Sequence, residues 1–266
     1  MSFSIQGKTA IVTGAANGIG LSIARHLADK GANVMCADAN EKALIDSLGD
    51  APEDGPLRTF AGDLRQRLTI ANLVSATIDA FDQVDILVNA SRQLLPTDAL
   101  DFEDNSVQTL LDQNLMTALH LTQYVAKRMM KQAEGKDDGQ VGSIINLSSI
   151  AANHIQPELM GYSIAAAAVQ QMTRSMALVL APHRIRVNAI SFGSVMSGSL
   201  QSTVAENREW RDDIRDHTPL GRIAAPTELC DTVQYLAAES SGFMTGGVIV
   251  VDGGRSLLDA VSAPAH

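Results

Sequence analysis

A glycine-rich segment near the amino terminus has the composition and spacing to hold a phosphate group. It reads TGAANGIG and places Gly14, Gly18 and Gly20 between the apolar run at 8–13 and a helical pattern that begins at 19. A strand that leads through a glycine loop into a helix lets backbone N–H groups approach a pyrophosphate at the helix N-terminus. The spacing is wider than G-x-G-x-x-G, so a purely structural tight turn is the alternative.

An aspartate follows the second apolar run, where a dinucleotide ribose would be bound. Asp38 lies 18 residues after Gly20, and an acidic side chain there accepts hydrogen bonds from the adenosine ribose and repels a 2′-phosphate. Neither Asn17 nor Ala39 nor Asn40 supplies a cation for such a phosphate. These residues favour NAD over NADP, although Asp38 could also be the N-cap of the next helix.

A parallel sheet is needed to bring these residues together. Short β-rich apolar runs alternate with longer stretches of helical periodicity, which is the pattern of βαβ units. The predicted strands are 8–13, 32–37, 57–61, 84–89, 142–148, 184–191 and 247–252, and the predicted helices are 19–30, 40–48, 66–81, 106–132, 162–180 and 226–238. We expect one Rossmann-type, doubly wound α/β domain over 1–254, with a seven-stranded parallel sheet, helices on both faces and a C-terminal tail at 255–266.

Composition and charge argue against several other classes of protein. No apolar run approaches the roughly 20 residues that a membrane span needs, and the first residues lack a signal-peptide pattern, which favours a cytoplasmic protein. The formal charge of −10 comes without a Lys/Arg cluster, so nucleic acid is not an expected partner. Cys36 and Cys230 have no paired spacing, so we expect buried free thiols and no metal site.

Motifs from about residue 5 to residue 254 resemble those of the short-chain dehydrogenase/reductase family. The matching residues are 13–20 for TGxxxGIG, Asp63-Leu64 for the pair at the adenine, VDILVN before Ala90 at the NNAG position, Asn114 for the helix asparagine, Ser149 thirteen residues before Tyr162, and 251–254 for the C-terminal signature. The resemblance implies an NAD-dependent oxidoreductase that moves hydride between nicotinamide and a secondary alcohol or ketone.

The resemblance also assigns roles to individual residues. It places catalysis on Ser149, Tyr162 and Asn114, and the cofactor on Gly14, Asn17, Gly18, Ile19, Gly20, Asp38, Asp63, Leu64, Asn89, Ala90, Tyr162, Gly193 and Val195. In that chemistry Ser149 holds the substrate oxygen and Tyr162 exchanges its proton while hydride moves.

Position 166 departs from the family's YxxxK motif. A tyrosine with an ordinary pKa near ~10 is a poor base at neutral pH and needs a nearby positive charge. The family carries a lysine one helical turn after the tyrosine, and this chain has Ala166. We therefore expect impaired activity, and the alternative is a pseudo-enzyme that binds NAD as a sensor or structural partner. Natural and introduced loss of the lysine both stay open.

Two further departures lie in neighbouring motifs. NNAG reads Asn89-Ala90-Ser91-Arg92, and the family's Pro-Gly after the sixth strand reads Phe192-Gly193. Arg92 could lend positive charge, but a solvated surface arginine is the expectation. Phe192 could pack against the cofactor or be neutral. His154 could line the cleft or be an ordinary loop histidine.

Assembly and substrate specificity depend on other segments. The helices at 106–132 and 162–180 carry small residues on more than one face, including Ala165, Ala167 and Ala168. Because the family pairs these helices across an interface, we expect a homodimer or homotetramer. The segment 193–220 has no predicted strand and is a candidate lid or binding loop. The substrate itself stays open.

Overall fold

Seven parallel strands form one sheet in the order β3-β2-β1-β4-β5-β6-β7. The computed structural model describes residues 3–49, 55–259 and 261. Its strands are β1 (Thr9–Thr13), β2 (Asn33–Asp38), β3 (Leu57–Ala61), β4 (Ile86–Asn89), β5 (Gly142–Ser149), β6 (Ile185–Phe192) and β7 (Val248–Val251). The strand order reverses between β1 and β4, which opens a crevice at the carboxyl ends of the strands. The predicted fold class is confirmed.

Helices cover both faces of the sheet. They are α1 (Gly18–Asp29), α2 (Glu41–Leu48), α3 (Arg67–Phe81), α4 (Ser106–Leu110), α5 (Thr117–Gln132), α6 (Met160–Leu180), α7 (Gly198–Glu206), α8 (Arg208–Asp216) and α9 (Thr227–Ala237). On one face α1 and α9 bury Ile23 and Leu229 against the sheet. On the other, α3 and α5 bury Leu73 and Leu121. The C-terminal tail continues as a short turn, Arg255–Leu257, and residues 260 and 262–266 of the predicted tail lie outside the described residues.

The long helix predicted over 106–132 is interrupted. A π-helical turn, Leu111–Met116, separates α4 from α5. Two polar side chains account for it. Thr117 Oγ1 donates to the carbonyl of Asp112 at 3.0 Å, and Asn114 bonds to a neighbouring loop instead of lying along the helix surface. Such insertions are common at functional sites because they re-aim a side chain.

The segment 193–220 is helical where an irregular loop was expected. It contains α7 and α8, joined to the rest of the fold by a bridge between Val195 and Ala224. The strongly polar α8 carries a pair between Arg215 and Asp212 at 2.9 Å. Pairs at this spacing support a helix that has little apolar surface to bury.

One helix is longer and more apolar than we predicted from the sequence. Pro157–His183, which contains α6, is long and apolar enough to cross a membrane by length and composition, with a mean hydropathy of 1.2. However, 44% of the 18-residue stretch with that mean hydropathy is buried inside the fold. Helices in the cores of soluble proteins can be equally long and apolar. Within α6, Ala165 is buried in its own chain and Ala167 is exposed, so Ala165 is unavailable for the expected subunit interface.

Candidate active site

The glycine loop after β1 brings three backbone segments into close contact. Gly14 and Gly18 have φ values of +65° and +53°, which favour glycine. A Cβ at Gly20 would lie 2.1 Å from the Gly14 carbonyl oxygen, and one at Gly14 would lie 2.8 Å from Ser91 Cα. The loop therefore packs tightly between α1 and the segment after β4.

The N-terminus of α1 has the form of an anion site. Asn17 precedes the helix in an extended conformation, and its side chain makes no cap hydrogen bond. In this part of the described chain the first-turn N–H groups are thus left without a side-chain cap, and the helix dipole favours negative charge there. Ile19, also expected at the cofactor, has its side chain buried in the core, so only its backbone can contribute.

Asp38 lies at the end of β2 beside this loop. One carboxylate oxygen accepts the Ala16 N–H at 3.1 Å, and the other accepts the Asn40 N–H at 3.0 Å. The N-cap of α2 is Asn40, whose side chain accepts the Ala43 N–H. The alternative that Asp38 caps the helix is therefore wrong, and its carboxylate is instead fixed against the glycine loop.

Asp63 and Leu64 follow β3, and their side chains lie in different environments. Asp63 forms an ion pair with Arg65, with 2.7 Å between Oδ2 and Nη2. Hydrogen bonding from Arg65 holds the pKa of the Asp63 carboxyl below its usual value. Leu64 is buried in the core. Both residues lie at the carboxyl edge of the sheet, on the side of β2 away from β1.

The side chain of Asn89, at the end of β4, makes hydrogen bonds within the fold. Asn89 is buried and donates to Asn146 Oδ1 at 2.8 Å and to Thr122 Oγ1 at 3.2 Å. The next two N–H groups, of Ala90 and Ser91, both donate to Thr13 Oγ1 at 3.0 Å. The bonds to Thr13 fix the loop after β4 to β1. The Asn89 side chain fixes the end of β4 to α5 and β5.

Gly193 and Val195 follow β6 on the other side of the crevice. The Gly193 N–H donates to the Val251 carbonyl at 3.1 Å, and a Cβ there would lie 3.0 Å from Asp252 Cβ. Val195 is buried and pairs with Ala224. Their positions place the backbone that leaves β6 at the same carboxyl edge as the glycine loop.

Ser149 ends β5 and keeps a hydroxyl hydrogen to donate. It is 8% exposed, and its Oγ accepts the Ala151 N–H at 3.2 Å. Ser148 is different: its Oγ donates to the Ala166 carbonyl at 3.1 Å and accepts from Gln170 at 3.3 Å. Among the described residues, the Ser149 hydroxyl hydrogen therefore has no acceptor, whereas that of Ser148 has one.

Tyr162 lies at the start of α6 with its hydroxyl facing a cation. It is 5% exposed and packs in an apolar cluster with Leu110 and Ala165. Arg92 Nη1 donates to its hydroxyl oxygen at 2.6 Å, and the same guanidinium lies 4.5 Å from the centre of the Phe192 ring. Arg92 is exposed, as expected for a surface arginine, and in addition it contacts Tyr162 and Phe192.

A small cleft of about 20 Å³ lies beside Tyr162, and Ser149 is not among the residues that line it. Its lining includes Arg92, Asn114, Ser148 and Ala166. Asn114 uses both side-chain polar atoms on the Gln93 backbone, donating at 2.8 Å and accepting at 2.7 Å. It therefore borders the cleft and fixes the loop that carries Arg92.

The sequence relatives identify the family. A family model described as enoyl-(acyl carrier protein) reductase matches residues 14–256. A short chain dehydrogenase/reductase of Aspergillus oryzae is 33% identical over 262 residues, which cover 96% of this chain and 97% of the relative. The chain belongs to the short-chain dehydrogenase/reductase family. A 2-dehydro-3-deoxy-D-gluconate 5-dehydrogenase of Escherichia coli is 29% identical, with 95% and 97% of the two chains covered.

Solved structures of the short-chain dehydrogenase/reductase family share this fold. A short-chain type dehydrogenase/reductase from Mycobacterium marinum has a TM-score of 0.83 at 30% identity, covering 97% of this chain and all of that one (100%). A family member of unknown function from Caenorhabditis elegans, solved with cofactor, has a TM-score of 0.85 at 27% identity and covers 97% and 98% of the two chains. This chain therefore has the fold and lineage of an oxidoreductase.

Proposed function

We propose that this protein is an NAD-dependent oxidoreductase that acts on a secondary alcohol or the corresponding ketone. The observation that carries the proposal is the position of Ser149 and Tyr162. Both hydroxyls lie at the carboxyl edge of the sheet, where the glycine loop also lies, and each retains a hydrogen to donate. A pair of hydroxyls at this edge suits binding and protonation of a carbonyl oxygen.

The residues at the glycine loop fit a nicotinamide dinucleotide. The uncapped first turn of α1 would hold the pyrophosphate, and the Asp38 carboxylate would accept hydrogen bonds from the adenosine ribose. The same carboxylate would repel a 2′-phosphate, which supports NAD over NADP. When bound, the nicotinamide supplies or accepts the hydride.

The protein's own residues would handle the oxygen and its proton. Ser149 Oγ donates a hydrogen bond to the substrate oxygen and orients it. In reduction Tyr162 gives its phenolic proton to that oxygen, and in oxidation the alcohol proton returns to the Tyr162 oxygen. Asn114 contributes by fixing the Gln93 backbone beside the tyrosine.

Cofactor binding tests the proposal that the cofactor is NAD. We expect NADH to bind at least about tenfold more tightly than NADPH, and the Asp38→Asn variant to narrow that ratio because the repelling charge is lost. Asp46→Asn, an exposed residue of α2, is the control for the same change in net charge. Binding constants come from nicotinamide fluorescence. Equal affinity for both cofactors in the unchanged chain would contradict the NAD assignment.

Turnover tests the proposal that the protein oxidises a secondary alcohol or reduces the corresponding ketone. NADH formation and consumption are measured on polyols, sugars, steroids and simple ketones, with Tyr162→Phe as the inactive control. We expect activity in the unchanged chain that the control loses. NADH binding without turnover on any of these, in both the unchanged chain and Ala166→Lys, would instead indicate a non-catalytic NAD-binding protein.

We also propose a homodimer or homotetramer. In the single chain α6 leaves Leu178 79% exposed, and the edge strand β7 leaves Val250 53% exposed. Apolar side chains on a core helix and an adjacent sheet edge favour burial against another copy. Light scattering of the purified protein measures the mass, and a monomer would contradict the proposal.

A further inference from the structure

We propose that Arg92 is a positioning residue for Tyr162 and supplies the positive charge that position 166 lacks. The inference rests on the proposed function, in which Tyr162 exchanges a proton with the substrate. It assigns a role to a side chain that the family's motifs do not provide, because the resemblance places a glycine at position 92.

The contact between the two side chains is direct. Arg92 Nη1 lies 2.6 Å from the Tyr162 hydroxyl oxygen, within the distance of a charge-assisted hydrogen bond. A donor that is permanently charged stabilises the phenolate form of its acceptor more than the neutral phenol. Arg92 therefore presents a charged donor to the oxygen atom of Tyr162 that exchanges the proton.

Three departures from the family's motifs meet at this contact. Position 92 carries the guanidinium, position 192 carries the aromatic ring against which it stacks at 4.5 Å, and position 166 is the alanine that borders the cleft. A guanidinium over an aromatic face is attracted to the ring. Phe192 thus orients the group that replaces the lysine, which gives the three departures one common explanation.

The backbone on both sides of Arg92 is fixed. Thr13 Oγ1 accepts the N–H groups of Ala90 and Ser91, and Asn114 holds both polar backbone atoms of Gln93. The exposed guanidinium is therefore carried by an anchored segment. This anchoring limits the conformational freedom that an exposed arginine would otherwise lose on making the contact.

No other described residue on the elements packed against Tyr162 competes for this role. The turn Ile150–Ala152 and α4 have no charged residue. The remaining charged or titratable groups nearby are Asp112, which accepts from Gln108 at 2.9 Å, the exposed Glu158, His154, which interacts with Asp252, and Arg255, which donates to Ser194. Among the described residues that line the cleft, Arg92 is the charged one.

A pH titration of the cofactor-free protein tests the proposal without any substrate. The chain has three tyrosines, so the Tyr162 contribution to tyrosinate absorbance is the difference between a protein and its Tyr162→Phe counterpart. We expect its pH midpoint to rise in Arg92→Ala, because the charged donor is lost, and to stay close to the original in Arg92→Lys. Arg222→Ala, an exposed arginine paired with Glu228, is the control and leaves the midpoint unchanged. An unchanged midpoint in Arg92→Ala would overturn the proposal.

A rescue experiment tests whether the two cations are interchangeable. We expect Arg92→Ala to lower kcat at neutral pH at least about tenfold and to shift the rising limb of the pH–rate profile upward. Adding Ala166→Lys to Arg92→Ala should restore both. Thermal unfolding checks that each variant is folded. Faster turnover and tighter NADH binding in Arg92→Ala would show that the arginine blocks the site instead, which would also overturn the proposal.

The two experiments separate the failure of this inference from that of the proposed function. Absence of turnover in every variant would contradict the oxidoreductase assignment, while the tyrosinate titration would still show whether Arg92 acts on Tyr162.

Discussion

Two adjacent serines show how much the residue scale depends on hydrogen-bond partners. Ser148 and Ser149 are both buried at the end of β5. Ser148 gives its hydrogen to the Ala166 carbonyl and is bound by Gln170, whereas the Ser149 hydroxyl hydrogen is free for a ligand. Counting thirteen residues back from Tyr162 also selects Ser149, so family spacing and hydrogen bonding agree.

Replacing each serine by alanine separates stability from activity. Ser149→Ala should lower kcat/KM by about 10²- to 10³-fold, because it removes a donor to the reacting oxygen, and should leave the unfolding temperature nearly unchanged. Ser148→Ala should instead lower the free energy of unfolding by about 1–2 kcal/mol, because it removes the buried hydroxyl that donates to the Ala166 carbonyl and accepts from Gln170, with a much smaller loss of activity. Steady-state rates and denaturant unfolding measure both. The reverse pattern would assign the catalytic role to Ser148.

At the scale of elements, the strands and the helices between them were predictable, whereas the interruption of one helix and the two helices within 193–220 were not. The inner strands agree with prediction because strands buried on both faces read as continuous apolar runs bounded by polar turns, and the partly exposed edge strands β3 and β7 were also predicted. The π-helical turn Leu111–Met116 was missed, since the apolar periodicity of 106–132 continues across it. Besides the Thr117 bond to Asp112, the Asn114 side chain donates to the Gln93 carbonyl and accepts the Gln93 N–H, and periodicity does not report this contact between distant segments.

The glycine loop gives a test of how closely α1 packs on β1. Gly20→Ala would place a Cβ 2.1 Å from the Gly14 carbonyl oxygen, so α1 must shift, and we expect a loss of at least about 2 kcal/mol in the free energy of unfolding together with weaker NADH binding. Gly198→Ala is the matched control. It lies in α7 with nothing within 4 Å of the added Cβ, and we expect a neutral or slightly stabilising effect. Equal effects of the two substitutions would contradict this account of the loop.

At the scale of the whole molecule, one sheet buries both cysteines. Cys36 lies in β2 and Cys230 in α9, and both thiols are buried. Burial raises the pKa of Cys36 to about 12 and that of Cys230 to about 11. The expectation of free, buried thiols is confirmed for these residues.

The thiols should therefore report global unfolding. At pH 8 we expect neither to react with a thiol reagent such as Ellman's reagent in the folded protein, and both to react once guanidinium unfolds it. Because the folded pKa of Cys36 exceeds its ordinary value of 9.0, the unfolded chain loses that proton first, and stability falls as the pH rises from about 9 towards 12. Reaction of either thiol within the mixing time at pH 8 would contradict the placement of its strand or helix.

The sequence by itself determined the fold class and the position of the glycine loop. Alternating apolar runs and helical periodicities are short-range patterns, and Gly20 is needed for a close contact with the Gly14 carbonyl in the same loop. The order of these segments then leaves few topologies, because parallel strands need crossover helices of fixed hand. Asp38 could be placed at the loop for the same reason, since it ends the next strand.

Only the tertiary structure decided what surrounds Tyr162. Arg92 and Tyr162 are 70 residues apart in the chain, and Phe192 lies in a third segment. They meet because β4, β5 and β6 are neighbours in one sheet and end at the same edge. The local sequence around an arginine is the same whether its side chain faces water or a tyrosine hydroxyl. The difference lies in strand order, register and the anchoring of the loop after β4, which are properties of the folded chain.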